Sequence, residues 1–214
     1  GGPDSWEYET IEESAQSGSW VRCCRLESGE LLAAWYHTPL GHSLMTAVGR
    51  PGGEWNVISN EFLGEMQNRN EMGLAMAVDL SGIPWVTVIT RDTQYPNKGL
   101  LKIYFPTLET TGANCIIDED SKAKYSVGAS CDVVVDANGG RHFAYFRTEK
   151  ADIKYKRQPK GGILWPLPRV ATGFEVLEGI SLLPDPDGTL VAFFKRNNGD
   201  VSKMNLCCKV FSND

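Results

Sequence analysis

The chain has 214 residues, enough for one well-cored domain. Its net charge of −6 argues against a nucleic-acid-binding surface, which carries a clustered basic excess. No apolar run approaches the roughly 18 residues of a membrane span, and nothing resembles a secretory leader.

Taken in chain order, the elements read as strands. The segment Trp6-Glu7-Tyr8-Glu9-Thr10-Ile11 has strand character. From Trp20 onward, one pattern occurs four times: an apolar strand, a tight turn ending in glycine, and a second apolar strand. The turns are Leu26-Glu27-Ser28-Gly29, Asp79-Leu80-Ser81-Gly82, Asp136-Ala137-Asn138-Gly139 and Asp185-Pro186-Asp187-Gly188. An aspartate in the first position hydrogen-bonds the backbone two residues on, and the glycine supplies positive φ. The second strands are expected at 30–36, 83–90, 140–146 and 189–195. Third strands follow, as at 99–105 and 151–156, and the tryptophans Trp55 and Trp165 mark the fourth.

The turn glycines stand 53, 57 and 49 residues apart. That is near the roughly 40–50 residues of a four-stranded propeller blade. The fold expected is therefore all-β, a four-bladed β-propeller in a single domain spanning 1–214. Its blades cover about 20–60, 70–118, 127–171 and 176–211. The last repeat lacks a fourth strand of its own. Because Trp6 precedes Trp55 by 49 residues, the N-terminal strand at 6–14 is expected to complete the last blade and remove its open edge.

The strings Val134-Val135-Asp136-Ala137-Asn138-Gly139-Gly140-Arg141-His142-Phe143 and Pro184-Asp185-Pro186-Asp187-Gly188-Thr189-Leu190-Val191 resemble the repeats of sialidase-like, BNR-type propellers. The resemblance extends over all four repeats, although the family's S-x-D-x-G-x-T-W box is absent. It implies a propeller and a glycan ligand.

Candidate site residues follow from position. The second strands end at His37, Arg91, Arg147 and Arg196, at 8, 9, 8 and 8 residues past the turn glycines. Such a ring suits carboxylate, sulfate or phosphate groups. Arg22, Glu71, Asp132 and Glu178 fall where first strands begin, bordering the central channel. Glu71, Asp132 and Glu178 are the candidate catalytic carboxylates if the protein is a glycoside hydrolase, which needs a pair flanking the scissile bond. Trp20, Tyr36 and Tyr95 are candidate stacking platforms for a sugar.

His37, His42 and His142 lie on separate elements, and the cysteines 23, 24, 115, 131, 207 and 208 lack the spacing of a zinc site, so neither a metal nor a cofactor is expected. The thiols read as free, buried small core residues, with disulfides the alternative. Three functions remain: a lectin- or adhesin-like carbohydrate-binding propeller for glycans or other small acidic ligands, a sialidase-like glycosidase, and a protein-interaction module. Neither a nucleic-acid partner nor a membrane span is expected, and an extracellular or surface-associated location is favoured.

Overall fold

The computed structural model describes residues 10–11, 13, 19–37, 43–62, 73–91, 99–104, 115–119, 127–147, 152–161, 165–166, 171–172, 179–185, 188–197 and 200–212. Every regular element among them is a strand, and the strands form four antiparallel sheets in chain order. Sheet 1 holds β1 (Ser19–Arg25), β2 (Leu31–His37), β3 (Ser43–Gly49) and β4 (Trp55–Phe62). Sheet 2 holds β5 (Leu74–Val78), β6 (Pro84–Arg91), β7 (Gly99–Tyr104) and β8 (Cys115–Glu119). Sheet 3 holds β9 (Val127–Val135), β10 (Arg141–Arg147), β11 (Asp152–Gln158) and the short β12 (Trp165–Pro166), with β13 (Ala171–Thr172) also pairing β11. Sheet 4 has β14 (Ile180–Asp185), β15 (Gly188–Asn197) and β16 (Asp200–Ser212). No helix among the described residues is long and apolar enough to cross a membrane.

Each sheet is a meander in which consecutive strands pair, except that β13 pairs β11 and not β12. The sheets stand side by side through their first strands: β1 lies against β5, β5 against β9, and β9 against β14. Apolar residues on both faces of the second strands fill the junctions. In β10, Phe143 and Tyr145 join a core with Ala34, Tyr36 and Leu44 of sheet 1 and Leu74, Val86 and Val88 of sheet 2. Ala144 and Phe146, one register step away, face the other way, toward Ile180, Leu182, Val191 and Phe211 of sheet 4. A strand buried on both faces reads as continuous apolar sequence, which is why the second strands are conspicuous in the chain. Burying each large side chain contributes roughly 1.5–3 kcal/mol. Tyr36 is fully buried, and its hydroxyl donates to the Gly73 carbonyl at 2.8 Å, fastening sheet 1 to sheet 2.

The turns have the expected chemistry in three of four cases. Gly29, Gly82 and Gly139 have φ of 82°, 76° and 81°, and each amide donates to the carbonyl three residues back, at 2.9 Å. A side chain is disfavoured at that φ. The fourth turn differs. Gly188 is the first residue of β15, pairs Asp185, and is absent from the positive-φ glycines. It is required for space, because a Cβ there would come within 2.5 Å of the Phe211 carbonyl oxygen on β16.

In sheets 2 and 3 the turn aspartate also links elements. Asp79 Oδ1 accepts the amides of Ser81 and Ile83, at 2.8 and 3.1 Å, and Oδ2 accepts the Trp85 indole N–H at 3.1 Å. Arg141 of sheet 3 reaches back to the same Oδ2 at 3.1 Å, its guanidinium stacked 3.6 Å over the Trp85 ring. Asp136 repeats the arrangement. Its Oδ1 accepts Asn138 and Gly140 amides, at 2.8 and 2.7 Å, and Oδ2 lies 3.0 Å from His142 Nε2. A carboxylate only accepts, so Nε2 carries the hydrogen, and the single Nδ1 lone pair faces the hydroxyls of Tyr155 and Thr189, the latter from sheet 4 at 3.0 Å, and accepts from one of them. Each latch thus closes its own turn and holds the next sheet.

Of the cysteines whose side chains are described, none forms a disulfide: Cys131 is buried, Cys24 and Cys207 half-buried, Cys23 and Cys208 exposed. The expectation of buried thiols does not hold for Cys23 and Cys208, whose strand faces have no sheet packed on them among the described residues. Burial pushes the Cys131 thiol up to about 12 and the Cys24 thiol up to about 11. Both are therefore protonated and unreactive at neutral pH.

The Asp136–His142 latch makes stability pH-dependent. Burial holds the His142 pKa below its ordinary 6.5, although Asp136 opposes the shift. The unfolded chain therefore binds the extra proton first, and stability falls as pH drops below 6.5 toward the lowered folded value. For Asp136, burial raises the pKa, but His142 and the two amides outweigh it and the pKa lies below 3.8. Its stabilisation is complete above that pH and is lost in stronger acid. The urea midpoint should decline between pH 7 and pH 5, and His142→Gln should flatten that decline. An equal slope in the two proteins would disprove the assignment.

Candidate functional site

Antiparallel pairing brings the start of each first strand beside the end of its second. Ser19 pairs Tyr36, and Val127 pairs Arg147. In register, Arg22 pairs Ala34, Ala75 pairs Thr87, Asp132 pairs Ala144, and Ser181 pairs Ala192. These four therefore occupy the same level of the four innermost strands.

Asp132 is the best-defined group there. Its Oδ2 accepts the Leu182 amide of β14 at 2.7 Å, and its Oδ1 accepts the Val133 amide at 2.9 Å. Two residues earlier, Ser130 Oγ accepts the Ile180 amide at 3.1 Å. Side chains two apart on β9 thus satisfy amides two apart on the inner edge of β14, where no strand ladder is available. Burial raises the Asp132 pKa, offset only in part by the Leu182 and Val133 amides and by the positive charge of Arg22. Arg22 is exposed, and its Nη1 donates to the Val21 carbonyl at 3.0 Å. Its charge acts on Asp132 and on Cys131, so the inner ends of sheets 1 and 3 share one electrostatic environment.

Trp20 stands above this level. It is 41% exposed, has φ of +57°, and lies in the register shift between Ser19 and Arg22. Left-handed backbone at a bulky residue costs of order 1–3 kcal/mol and clusters at functional positions.

The remaining sequence candidates divide as follows. His37, Arg91 and Arg147 are the last residues of β2, β6 and β10, and Arg196 is next to last in β15. The side chains of Arg91 and Arg196 are not among those described, and Glu71, Glu178 and Tyr95 lie outside the described residues. Arg147 is committed elsewhere. Its Nε and Nη2 grip the fully buried Asp152 at 2.8 and 2.7 Å, a bidentate pair clamping the β10–β11 hairpin. Tyr36 is a core residue, as described above. Of the candidates, Arg22 and Asp132 are linked through the charge of Arg22, and Trp20 precedes Arg22 by two residues on β1. No cluster of three metal-ligating side chains occurs among the described residues.

A separate cleft of about 590 Å³ opens at the opposite, turn end of sheet 1, lined by Glu30, Arg50, Glu54 and Trp55. It does not reach the first-strand starts. There the Trp55 ring lies on Gly49, where a Cβ would come within 2.7 Å of it.

Sequence reasoning missed Ser130 and Asp152, and it read Asp79 and Asp136 only as turn formers. The spacing of Ser130 and Asp132 on one strand face was a usable signal. The pairing of Arg147 with Asp152 was not, since both read as loop-end polar residues.

No known protein family matches the sequence, and no curated relative does. Among solved structures, the chain is similar to a protein of unknown function from Dyadobacter fermentans, with 17% identity and a TM-score of 0.56. The match covers 89% of this chain and 59% of that one, so this chain spans under two thirds of it. It is also similar to a family 43 endo-arabinanase from Bacillus licheniformis, with 10% identity, TM-score 0.45, and coverage of 88% and 71%. A third is a fucose lectin from Kordia zhangzhouensis, with 14% identity, TM-score 0.43, and coverage of 72% and 99%. At such identity the likeness concerns the fold alone: an all-β arrangement of antiparallel sheets.

Because Arg147 neutralises a buried carboxylate, Arg147→Ala should destabilise the protein by about 3 kcal/mol in urea denaturation. Adding Asp152→Asn should restore part of the loss, by the coupling of a contacting pair. Unchanged stability in Arg147→Ala would free that guanidinium for ligand.

Proposed function

We propose that the protein binds carbohydrate at the first-strand ends, with acidic glycans preferred. The observation that carries this reading is Trp20, exposed on strained backbone two residues before the cationic Arg22, whose charge acts on the half-buried Asp132. An aromatic face stacks on the apolar side of a sugar ring. Arg22 supplies charge-assisted hydrogen bonds to a carboxylate or sulfate substituent, and Asp132 accepts from a hydroxyl with whatever lone pairs its two amides leave. His37, Arg91 and Arg196, at the second-strand ends, complete a rim around the ligand. Arg147 takes no part.

A hydrolytic role is the second reading, favoured by the raised pKa of Asp132, which suits a general acid. It requires Glu71 or Glu178 as the second carboxylate.

A glycan array with neutral, uronic-acid-bearing, sialylated and sulfated members tests the main proposal. Trp20→Ala should weaken binding to every ligand by about 0.5–1.5 kcal/mol. Arg22→Ala should weaken acidic ligands selectively, by about 1.5–3 kcal/mol. Absence of glycan binding, or equal binding by both variants, would sink it. Turnover of fluorogenic glycosides that disappears in Asp132→Asn would replace binding by hydrolysis.

A further inference from the structure

The two ends of the row of sheets differ from each other, and each is the counterpart of the other. The buried clusters join sheets 1, 2 and 3, and sheets 3 and 4; among the described residues none joins sheet 4 to sheet 1. On β1, Cys24 turns its thiol to Met76 of sheet 2 at 3.0 Å, so its neighbours Cys23 and Arg25 face away from the row. Both are exposed, and Val21 is 51% exposed. On β14, Ile180 and Leu182 pack toward sheet 3, so Ser181, Leu183 and Asp185 face away, and all three are exposed. Register places Cys208 and Val210 of β16 in the rows of Ser181 and Leu183, and Leu206 continues that face, 69% exposed.

Inside the row the same positions are covered. Counted from the level shared by Arg22, Asp132 and Ser181, the counterparts of Val21 and Cys23 are Cys131 and Val133, buried in the core that sheets 1 to 3 share. The counterpart of Leu183 is Val134, packed on sheet 4. One copy of the chain therefore carries both halves of a further junction. The ends also match in charge, with Arg25 the last residue of β1 and Asp185 the last of β14. The row already contains such a contact, since Asp79 of sheet 2 takes Arg141 of sheet 3 at 3.1 Å.

We propose that a second copy of this chain is the partner of these ends, the outward face of β1 in one copy seating on the outward face of sheet 4 in the next. Arg25 then meets Asp185, and Val21 and Cys23 meet Leu183, Leu206 and Val210. The interface is heterologous, and two copies form a closed ring when both pairs of ends engage. Such a ring holds twice the four sheets of one copy, at the upper end of the roughly 4–8 blades of propellers. The inference does not rest on any ligand.

Light scattering of the 214-residue chain should give twice the monomer mass. Arg25→Glu should weaken association about tenfold by setting like charges opposite each other. Combining it with Asp185→Arg restores the opposite signs and should recover the dimer, which a folding defect in the single variant would not allow. Cross-linking a mixture of heavy-nitrogen-labelled and unlabelled chains with a short bismaleimide should join Cys23 of one copy to Cys208 of another. Three results would overturn the proposal. A monomer at every concentration means that no second copy covers these ends. Linkage of Cys23 to Cys208 within single copies alone means that the row closes on itself. Linkage of Cys23 to Cys23 means that like faces meet.

Discussion

A carboxylate taken out of water must have its lone pairs filled, and in this protein that requirement organises the junctions. Asp79 and Asp136 each accept two amides of their own turn on one oxygen and a second-strand side chain on the other. The first pair of bonds fixes the hairpin. The second fixes the level at which Trp85 or His142 sits in its strand. A group from the following sheet then closes each network: Arg141 on Asp79, Thr189 on His142. Hydrogen bonds to charged groups contribute about 1.5–3 kcal/mol each, and leaving such a group unsatisfied costs more. Sheets 2 and 3, and sheets 3 and 4, can therefore slide past one another only by breaking these bonds.

The inner strands follow the same rule by other means. An innermost strand has one edge without a ladder, and its amides must find partners. Ser130 and Asp132 meet this need for β14, which gives Asp132 a structural duty beside any role toward a ligand. Its raised pKa and its proximity to Arg22 follow from where that duty places it. A carboxylate that accepts backbone amides from a neighbouring sheet is also a rigid one. Rigidity at the base of a binding mouth lowers the ordering cost of association.

Much of the strand layout was legible because two signals agreed locally. Glycine closes the turns after Leu26, Asp79 and Asp136, and second strands buried on both faces read as apolar runs. The fourth turn shows the limit of that reading. Gly188 looks like the others in sequence, yet it serves close approach to Phe211. The candidate site was legible in position but not in allegiance. The charge of Arg22 reaches Asp132, whereas Arg147 turns to Asp152 and Tyr36 to the Gly73 carbonyl. Neither diversion can be read from one strand, because each depends on a partner fixed by hairpin register or by a neighbouring sheet.

The latches are unevenly distributed. Where sheets 2 and 3 have aspartate at the turn with a bonding partner six residues on, sheet 1 has Leu26 with Leu32, and sheet 4 has Asp185 with the apolar Val191. Because Thr189, Ile180 and Leu182 bond back to sheet 3, sheets 2 to 4 are cross-braced by polar networks, whereas sheet 1 adheres mainly by apolar contact, which has no preferred direction. Such a molecule does not loosen evenly. Sheet 1 forms the least protected cooperative unit, opening at a fraction of the global unfolding free energy while the braced sheets stay closed. Trp20 and Arg22 belong to a flank and Asp132 to the braced centre, so the proposed mouth joins a part that breathes to a part that does not.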